Sequence, residues 1–258
     1  MSEIISVCNQ KGGVGKTTTA INLSTYLALS GKKILLVDLD PQSNATSGLG
    51  LDKQTVEAGT YQFLLEGITP EKVIRATIIQ GLSLIPSNEE LMGAEVELVS
   101  EIGREGKLKS ALTPLTTHYD FIFIDSPPSL GLLTLNALVA ADSVIIPMQC
   151  EYFALEGLSQ LMRTIDLVKE RLNPSLTLRG VLLTMADFRT NLTDQVIQEA
   201  RNFFKEKVYQ TVIPRSIRLS EAPGFGKPIA LYDSGCLGAQ KYRELGQEIL
   251  GTAVRAAS

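Results

Sequence analysis

Lys16 and Thr17, with the glycines that lead into them, are the first residues whose types and spacing can do chemistry. They close the run Gln10-Lys11-Gly12-Gly13-Val14-Gly15-Lys16-Thr17-Thr18. Glycines let a backbone turn tightly enough for several N–H groups to converge on one anion, and a helix starting there adds the positive end of its dipole. Gly12, Gly13, Val14, Gly15 and Thr18 would form such a cradle. Lys16 can reach the β- and γ-phosphates of a nucleotide, and the Thr17 hydroxyl can ligate Mg²⁺. The usual phosphate-loop pattern, G-x-x-x-x-G-K-[ST], fails at its first glycine, where this chain has Gln10, and an extra lysine stands at position 11.

Two further runs end in carboxylates. Leu35-Leu36-Val37-Asp38-Leu39-Asp40-Pro41-Gln42 puts Asp38 and Asp40 at the close of an apolar stretch. Phe121-Ile122-Phe123-Ile124-Asp125-Ser126-Pro127-Pro128 does the same with Asp125. An apolar strand ending in aspartate is the Walker B arrangement, which holds Mg²⁺ directly or through water.

The elements that must position these groups show in the apolar pattern. Ile4–Val7, Ile34–Val37, Leu82–Ile85, Phe121–Ile124, Val144–Ile146 and Val181–Leu183 read as strands covered on both faces. Helical spacing lies between them, at Ile21, Leu23, Leu27 and Leu29 and again at Leu158, Leu161, Ile165 and Leu167. Alternating strands and helices predict an α/β fold, a single doubly wound, mainly parallel sheet flanked by helices, as one domain over residues 1–258. In such sheets ligands bind beyond the carboxyl ends of the strands, where all three motifs fall. The polar stretch Asp40–Gly59 reads as the least regular of the chain, and a loop of that length is expected to be functional or mobile.

Composition narrows the function classes. Lys and Arg number 24 against 28 Asp and Glu, a net charge of −4, which excludes a globally basic nucleic-acid binder but not a local patch. One histidine and three scattered cysteines, Cys8, Cys150 and Cys236, argue against a zinc site or a disulfide framework and suit buried structural thiols. His118 reads as a surface residue. No stretch approaches the roughly 18 apolar residues of a membrane span, and the first residues do not read as a signal peptide. A cytoplasmic protein is expected.

KGGVGKT, DLDPQ and FIFIDSPPS together resemble the deviant-Walker-A ATPases of the ParA/MinD family, and more closely the ParA (Soj) chromosome and plasmid partition ATPases. Asn44-Ala45-Thr46, the run from Gln149 to Leu158, Ile213-Pro214-Arg215-Ser216 and Leu219-Ser220-Glu221-Ala222-Pro223 extend the resemblance over nearly the whole chain. It implies a P-loop ATPase with ATP and Mg²⁺, an ATP-dependent homodimer, non-specific binding to double-stranded DNA, a ParB-like partner and association with the nucleoid. It also implies individual assignments. Lys11 would cross to the partner's nucleotide, and Asp40 would position the attacking water. Asp38 and Asp125 would belong to the outer shell of the metal, and Pro214 and Ser216 would recognise adenine. Glu151 would touch nucleotide across the dimer, and Arg189 and Arg218 would contact DNA.

Three rivals share parts of this pattern. A MinD-type positioning ATPase would hold membrane with a C-terminal amphipathic helix, whereas this chain ends in small residues, Ala253-Val254-Arg255-Ala256-Ala257-Ser258. A redox or metabolic P-loop protein needs shared cluster cysteines or an acceptor pocket. A ParA relative that positions some other cargo has the same motifs. With few residues before Gln10, no operator-binding extension is expected.

Overall fold

The computed structural model describes residues 2–151 and 154–252, with the backbone alone at 154–156. Seven strands, β1 (Glu3–Val7), β2 (Ile34–Asp38), β3 (Arg75–Ala76), β4 (Leu82–Ile85), β5 (Phe121–Asp125), β6 (Ser143–Gln149) and β7 (Thr177–Thr184), form one sheet. Its order is β3-β4-β2-β5-β1-β6-β7, parallel except for β3, which runs antiparallel to β4 at the edge. Each of the six strands expected from apolar runs is present. The seventh, β3, has two residues and is too short to leave an alternation signal.

The helices are α1 (Lys16–Leu29), α2 (Asn44–Gly48), α3 (Pro70–Val73), α4 (Leu91–Glu97), α5 (Lys107–Leu112), α6 (Leu132–Ala140), α7 (Ala154–Arg171), α8 (Asn191–Phe204), α9 (Ile217–Glu221), α10 (Ile229–Tyr232) and α11 (Leu237–Ile249). Because strand side chains alternate, successive residues feed opposite layers. Ile4, Leu35, Ile122, Val144 and Val181 pack with Leu133 and Leu138 of α6 and Leu161 of α7. Ile5, Leu36, Phe123, Ile145 and Leu182 face the other way, onto Leu23 and Leu27 of α1 and Leu245 of α11. The Thr19 and Tyr242 hydroxyls, both buried, meet at 3.1 Å and join α1 to α11.

Four details depart from the sequence reading. Leu29 is exposed, because it closes α1 beyond the sheet. Leu167 is exposed and Val168 buried in its place, since the face set by Leu161 and Ile165 continues at i+7. Asp40–Gly59 is not irregular throughout: it holds α2 and a 3-10 turn at Lys53–Thr55. The small residues of α2 carry no amphipathic stripe, so packing sets this helix, with Gly48 so close to Ile21 that an added Cβ would clash. Finally, Cys236 is only half-buried; its Sγ accepts from the Ala239 N–H at 3.4 Å and caps α11.

Candidate nucleotide-binding site

Strand register levels the acidic groups before any loop is considered. Asp125 pairs with Val7 on one side and with Asp38 on the other, so both aspartates end adjacent parallel strands at the same height. The loop from β1 to α1 rises beside them. Gly13 (φ 73°) and Gly15 (φ 89°) take left-handed conformations that a side chain would strain. The loop is tied at both edges. Asn9 Oδ1 accepts from the Lys11 N–H at 3.0 Å, and its Nδ2 donates to the Pro147 carbonyl at 2.7 Å. On the far side the Thr184 hydroxyl at the end of β7 donates to the Val14 carbonyl at 2.9 Å.

Lys16 opens α1 and is buried, its Nζ donating back across the loop to the Lys11 carbonyl at 3.1 Å. Burial lowers its pKa, opposed by the negative charge of Asp125 and Asp40. The same burial pushes the neighbouring Cys8 thiol up to about 12, so it stays protonated and inert.

The carboxylates are treated differently from one another. Asp38 accepts from the Thr46 N–H at 2.8 Å and the Thr46 hydroxyl at 2.6 Å, yet burial still raises its pKa to about 7. Asp125 is raised well above the usual carboxylate range, first by burial and then by the charge of Asp38. The nearby Thr17 hydroxyl and the charge of Lys16 pull it back, and among the described residues neither buried Asp125 oxygen has a hydrogen-bond partner of good geometry. A buried acceptor left unpaired costs about 1–3 kcal/mol. Oxygen donors from Asp125, Asp38 and Thr17 beside a phosphate cradle are the donor set a hard divalent cation takes. The residues therefore suit Mg²⁺, which the Thr17 hydroxyl could ligate with the two aspartates behind it. Asp40, also buried, is oriented by the Gln42 N–H, 3.0 Å from its Oδ1.

Above these groups runs a two-part cleft. One part, about 330 Å³, is lined by Gly12, Gly13, Lys16, Thr17, Asp40, Gln42 and Pro128. The other, about 220 Å³, lies between Ile213, Pro214, Arg215, Ser216, Leu219 and Tyr242. Gly15, Thr18 and Met185 line both, so the cleft is continuous. Met185 holds a left-handed φ of 52°, and the next residue, Ala186, bridges to Pro214 and accepts from the Arg215 N–H at 3.0 Å. The first part offers charge and N–H donors that could hold phosphates; the second mixes apolar Ile213, Pro214 and Leu219 with polar Arg215, Ser216 and Ser220, a lining that could take a base. The Ser216 hydroxyl is already used, capping α9 by accepting from the Leu219 N–H at 3.5 Å.

The remaining expected residues lie outside the cleft floor. Lys11 points outward, half-exposed, its Nζ 2.9 Å from Glu151. Arg189 is mostly exposed and grips Asp187 through Nε at 2.8 Å and Nη2 at 2.7 Å. Arg218 contacts Glu221 at 3.1 Å and Asp233 at 3.4 Å. Tyr152 and Phe153 of the 149–158 run, and the chain end from Ala253, lie outside the described residues. Thr184 and Met185 escaped the sequence reading because nothing in a strand's end marks which wall it will form. Thr46 belongs to the Asn44-Ala45-Thr46 run, but its tie to Asp38 follows only from the fold.

Parallel strands, the glycine loop opening a helix, and aspartates closing neighbouring strands define a P-loop nucleotide-binding protein with a variant loop. Comparison with known proteins narrows the class. A family model described as "AAA domain" matches residues 2–178. Over 249 residues the chain is 57% identical to the sporulation initiation inhibitor protein Soj of Bacillus subtilis (strain 168), covering 96% of this chain and 98% of that one. It is 54% identical to the chromosome partitioning protein ParA of Myxococcus xanthus, covering 97% and 88%. Among solved structures, that of cobyrinic acid a,c-diamide synthase from Mycobacterium smegmatis, with bound ADP and magnesium, superposes with a TM-score of 0.86 at 38% identity, covering 97% and 94%. The chain belongs to the ParA/Soj family of chromosome-partitioning ATPases.

Proposed function

We propose that the chain works as one domain, hydrolysing ATP with Mg²⁺ to drive partition of a chromosome or plasmid. ATP closes two copies into a dimer, the dimer holds double-stranded DNA without sequence preference, and hydrolysis, prompted by a ParB-like partner, releases it. The protein is then cytoplasmic and nucleoid-bound only with ATP. The observation that carries this reading is the division of labour between two lysines on one loop. Lys16 turns inward and serves its own site, whereas Lys11 faces out, with only Glu151 as its ion-pair partner among the described residues.

Each step has a local basis. The loop N–H groups and Lys16 bind the phosphates, and Gly13 and Gly15 let the backbone approach them. Bound Mg²⁺ would neutralise phosphate charge. Asp40, fixed by the Gln42 N–H, orients water toward the terminal phosphate. Lys11 of a second copy adds positive charge where negative charge develops, as an arginine finger does. Glu151, which pairs with Lys11 in the free chain, is released to meet nucleotide across the interface. Pro214 and Ser216 border the base. Asp38 and Asp125 lie beneath the loops that must respond to the γ-phosphate, which couples nucleotide state to dimerisation. A synthase reading, drawn from the name of the M. smegmatis protein, rests on lower identity than the partition relatives show.

The test is DNA co-sedimentation of Asp40→Ala with ATP, with ADP and without nucleotide, at two salt concentrations. ATP-dependent, salt-sensitive binding to unrelated sequences supports the reading. A dimer that ignores DNA but sediments with anionic vesicles would favour a membrane-positioning ATPase.

A further inference from the structure

Away from the cleft, the segment after β4 exposes an apolar ridge. Met92, Val96 and Val99 follow one another at i, i+4 and i+7 along α4 and the 3-10 turn Leu98–Ser100, and Ile102 follows in the turn after the extended Glu101. Their exposures are 56%, 75%, 60% and 97%. Leu91, Ala94 and Leu98 on the opposite side are buried, so the helix is anchored inward and still shows a second apolar face. Solvated helices do not need such a face; contiguous exposed apolar side chains mark interaction surfaces.

The rim is acidic. Residues 89–105 contain Glu89, Glu90, Glu95, Glu97, Glu101 and Glu105 against one basic residue, Arg104. Arg104 is paired with Glu105, and Glu101 with Lys107. Among the described residues, Glu89, Glu90, Glu95 and Glu97 have no ion-pair partner.

We propose that this ridge docks a cationic amphipathic segment of a partner protein, apolar on the side that covers Met92, Val96, Val99 and Ile102 and rich in Lys or Arg along its edges. The charge decides against the other occupants. A two-fold copy of the same face would set glutamates against glutamates. An anionic lipid surface and DNA would both be repelled. The proposal rests on the partner half of the function proposed above and gives that partner a surface and a chemistry.

The ridge is also wired to both acidic strand ends. Ahead of α4, the Ser87 N–H donates to the Thr46 hydroxyl at 2.9 Å, and that hydroxyl donates to Asp38. From the middle of α4, the Glu95 carboxylate packs on Gly131, where an added Cβ would overlap it, and its buried Oε1 has no hydrogen-bond partner among the described residues. Gly131 is the residue before α6, at the end of the loop that leaves Asp125. A segment seated on α4 therefore bears on the loops after β2 and β5 together.

The test uses a fluorescein-labelled 18-residue helical peptide with leucine on one face and lysine elsewhere, beside a scrambled peptide of the same composition. Anisotropy is read against the full-length parent, Val96→Ser/Val99→Ser and Glu89→Gln/Glu97→Gln, all surface changes. The expected result is at least tenfold weaker binding to the valine variant. The glutamine variant should bind several-fold more weakly with a flatter salt dependence. Basal ATP hydrolysis and ATP-dependent dimerisation should stay at parent levels in both. Equal binding to parent and valine variant, or no preference for the ordered peptide over the scrambled one, would overturn the proposal. So would loss of the ATP-dependent dimer in the valine variant, which would assign the ridge to the contact between copies. Ridge-dependent sedimentation with anionic vesicles would assign it to membrane and sink the proposal equally. Failure of the DNA co-sedimentation described above, with ridge-dependent peptide binding intact, would sink the partition reading and leave this docking site supported.

Discussion

The cleft floor and the arginine edge carry opposite kinds of charge economy. On the floor, Lys16, Asp38, Asp40 and Asp125 are buried, and among the described residues both oxygens of Asp125 lack a hydrogen-bond partner of good geometry. At the edge, Arg189 and Arg218 are exposed, and each already holds a carboxylate. Buried charge without partners is costly unless a ligand supplies them, whereas exposed pairs are worth little and exchange readily. The floor is therefore organised around something that completes it, and the edge can trade Asp187, Glu221 or Asp233 for another anion. Any ligand of the edge must compete with those carboxylates.

The contrast can be broken most severely at Lys16. Lys16→Ala should reduce nucleotide affinity and ATP hydrolysis by about 100-fold or more, measured by titration calorimetry and phosphate release. Asp40→Ala should keep nucleotide binding and slow hydrolysis by a similar order, with the ATP dimer persisting in size-exclusion chromatography coupled to light scattering; hydrolysis at the parent rate would remove Asp40 from the water-positioning step. Lys11→Ala should bind nucleotide within a few-fold of the parent yet remain monomeric with ATP, since its exposed pair with Glu151 stabilises the free chain little.

A pH series sharpens the floor half. Burial raises the Asp38 pKa to about 7 and moves Asp125 in the same direction, both above their unfolded values. The native state thus binds these protons more tightly. Their contribution to stability is greatest below the unfolded value near 4 and is lost as pH rises through the native ones. In chelator, without nucleotide, Asp125→Asn should raise the melting temperature at pH 8 by a few degrees, and the gain should shrink toward pH 4. A gain constant across that range would mean that Asp125 is not a buried charge awaiting a cation. The smallest effect belongs to the edge. Arg189→Ala should weaken DNA binding a few-fold and reduce the slope of its salt dependence by about one released ion, because part of its charge is already neutralised by Asp187.

The same contrast explains what the sequence revealed. The phosphate loop and the strands ending in Asp38 and Asp125 were legible because strand, glycine turn and helix follow one another locally. Parallel pairing then did the rest, bringing Asp38 and Asp125 level through strand register. The base wall was less legible: Pro214 and Ser216 were reached by resemblance, but Met185, Leu219 and Tyr242 join them only through contacts distant in sequence. The α2 helix was missed for the same reason, since Ser43, Ala45 and Gly48 are placed by packing and not by periodicity. The ridge beside α4 was not legible, because only the fold shows that Leu91, Ala94 and Leu98 fill the core and leave Met92, Val96, Val99 and Ile102 exposed.

The bond between Thr19 and Tyr242 spans 223 positions. Seen from the ribosome, the chain acquires its phosphate loop by Thr18 but gains the far wall of the cleft only once Tyr242 has been added, more than two hundred residues later. A nascent or prematurely terminated chain carries the loop without the wall that Tyr242 completes.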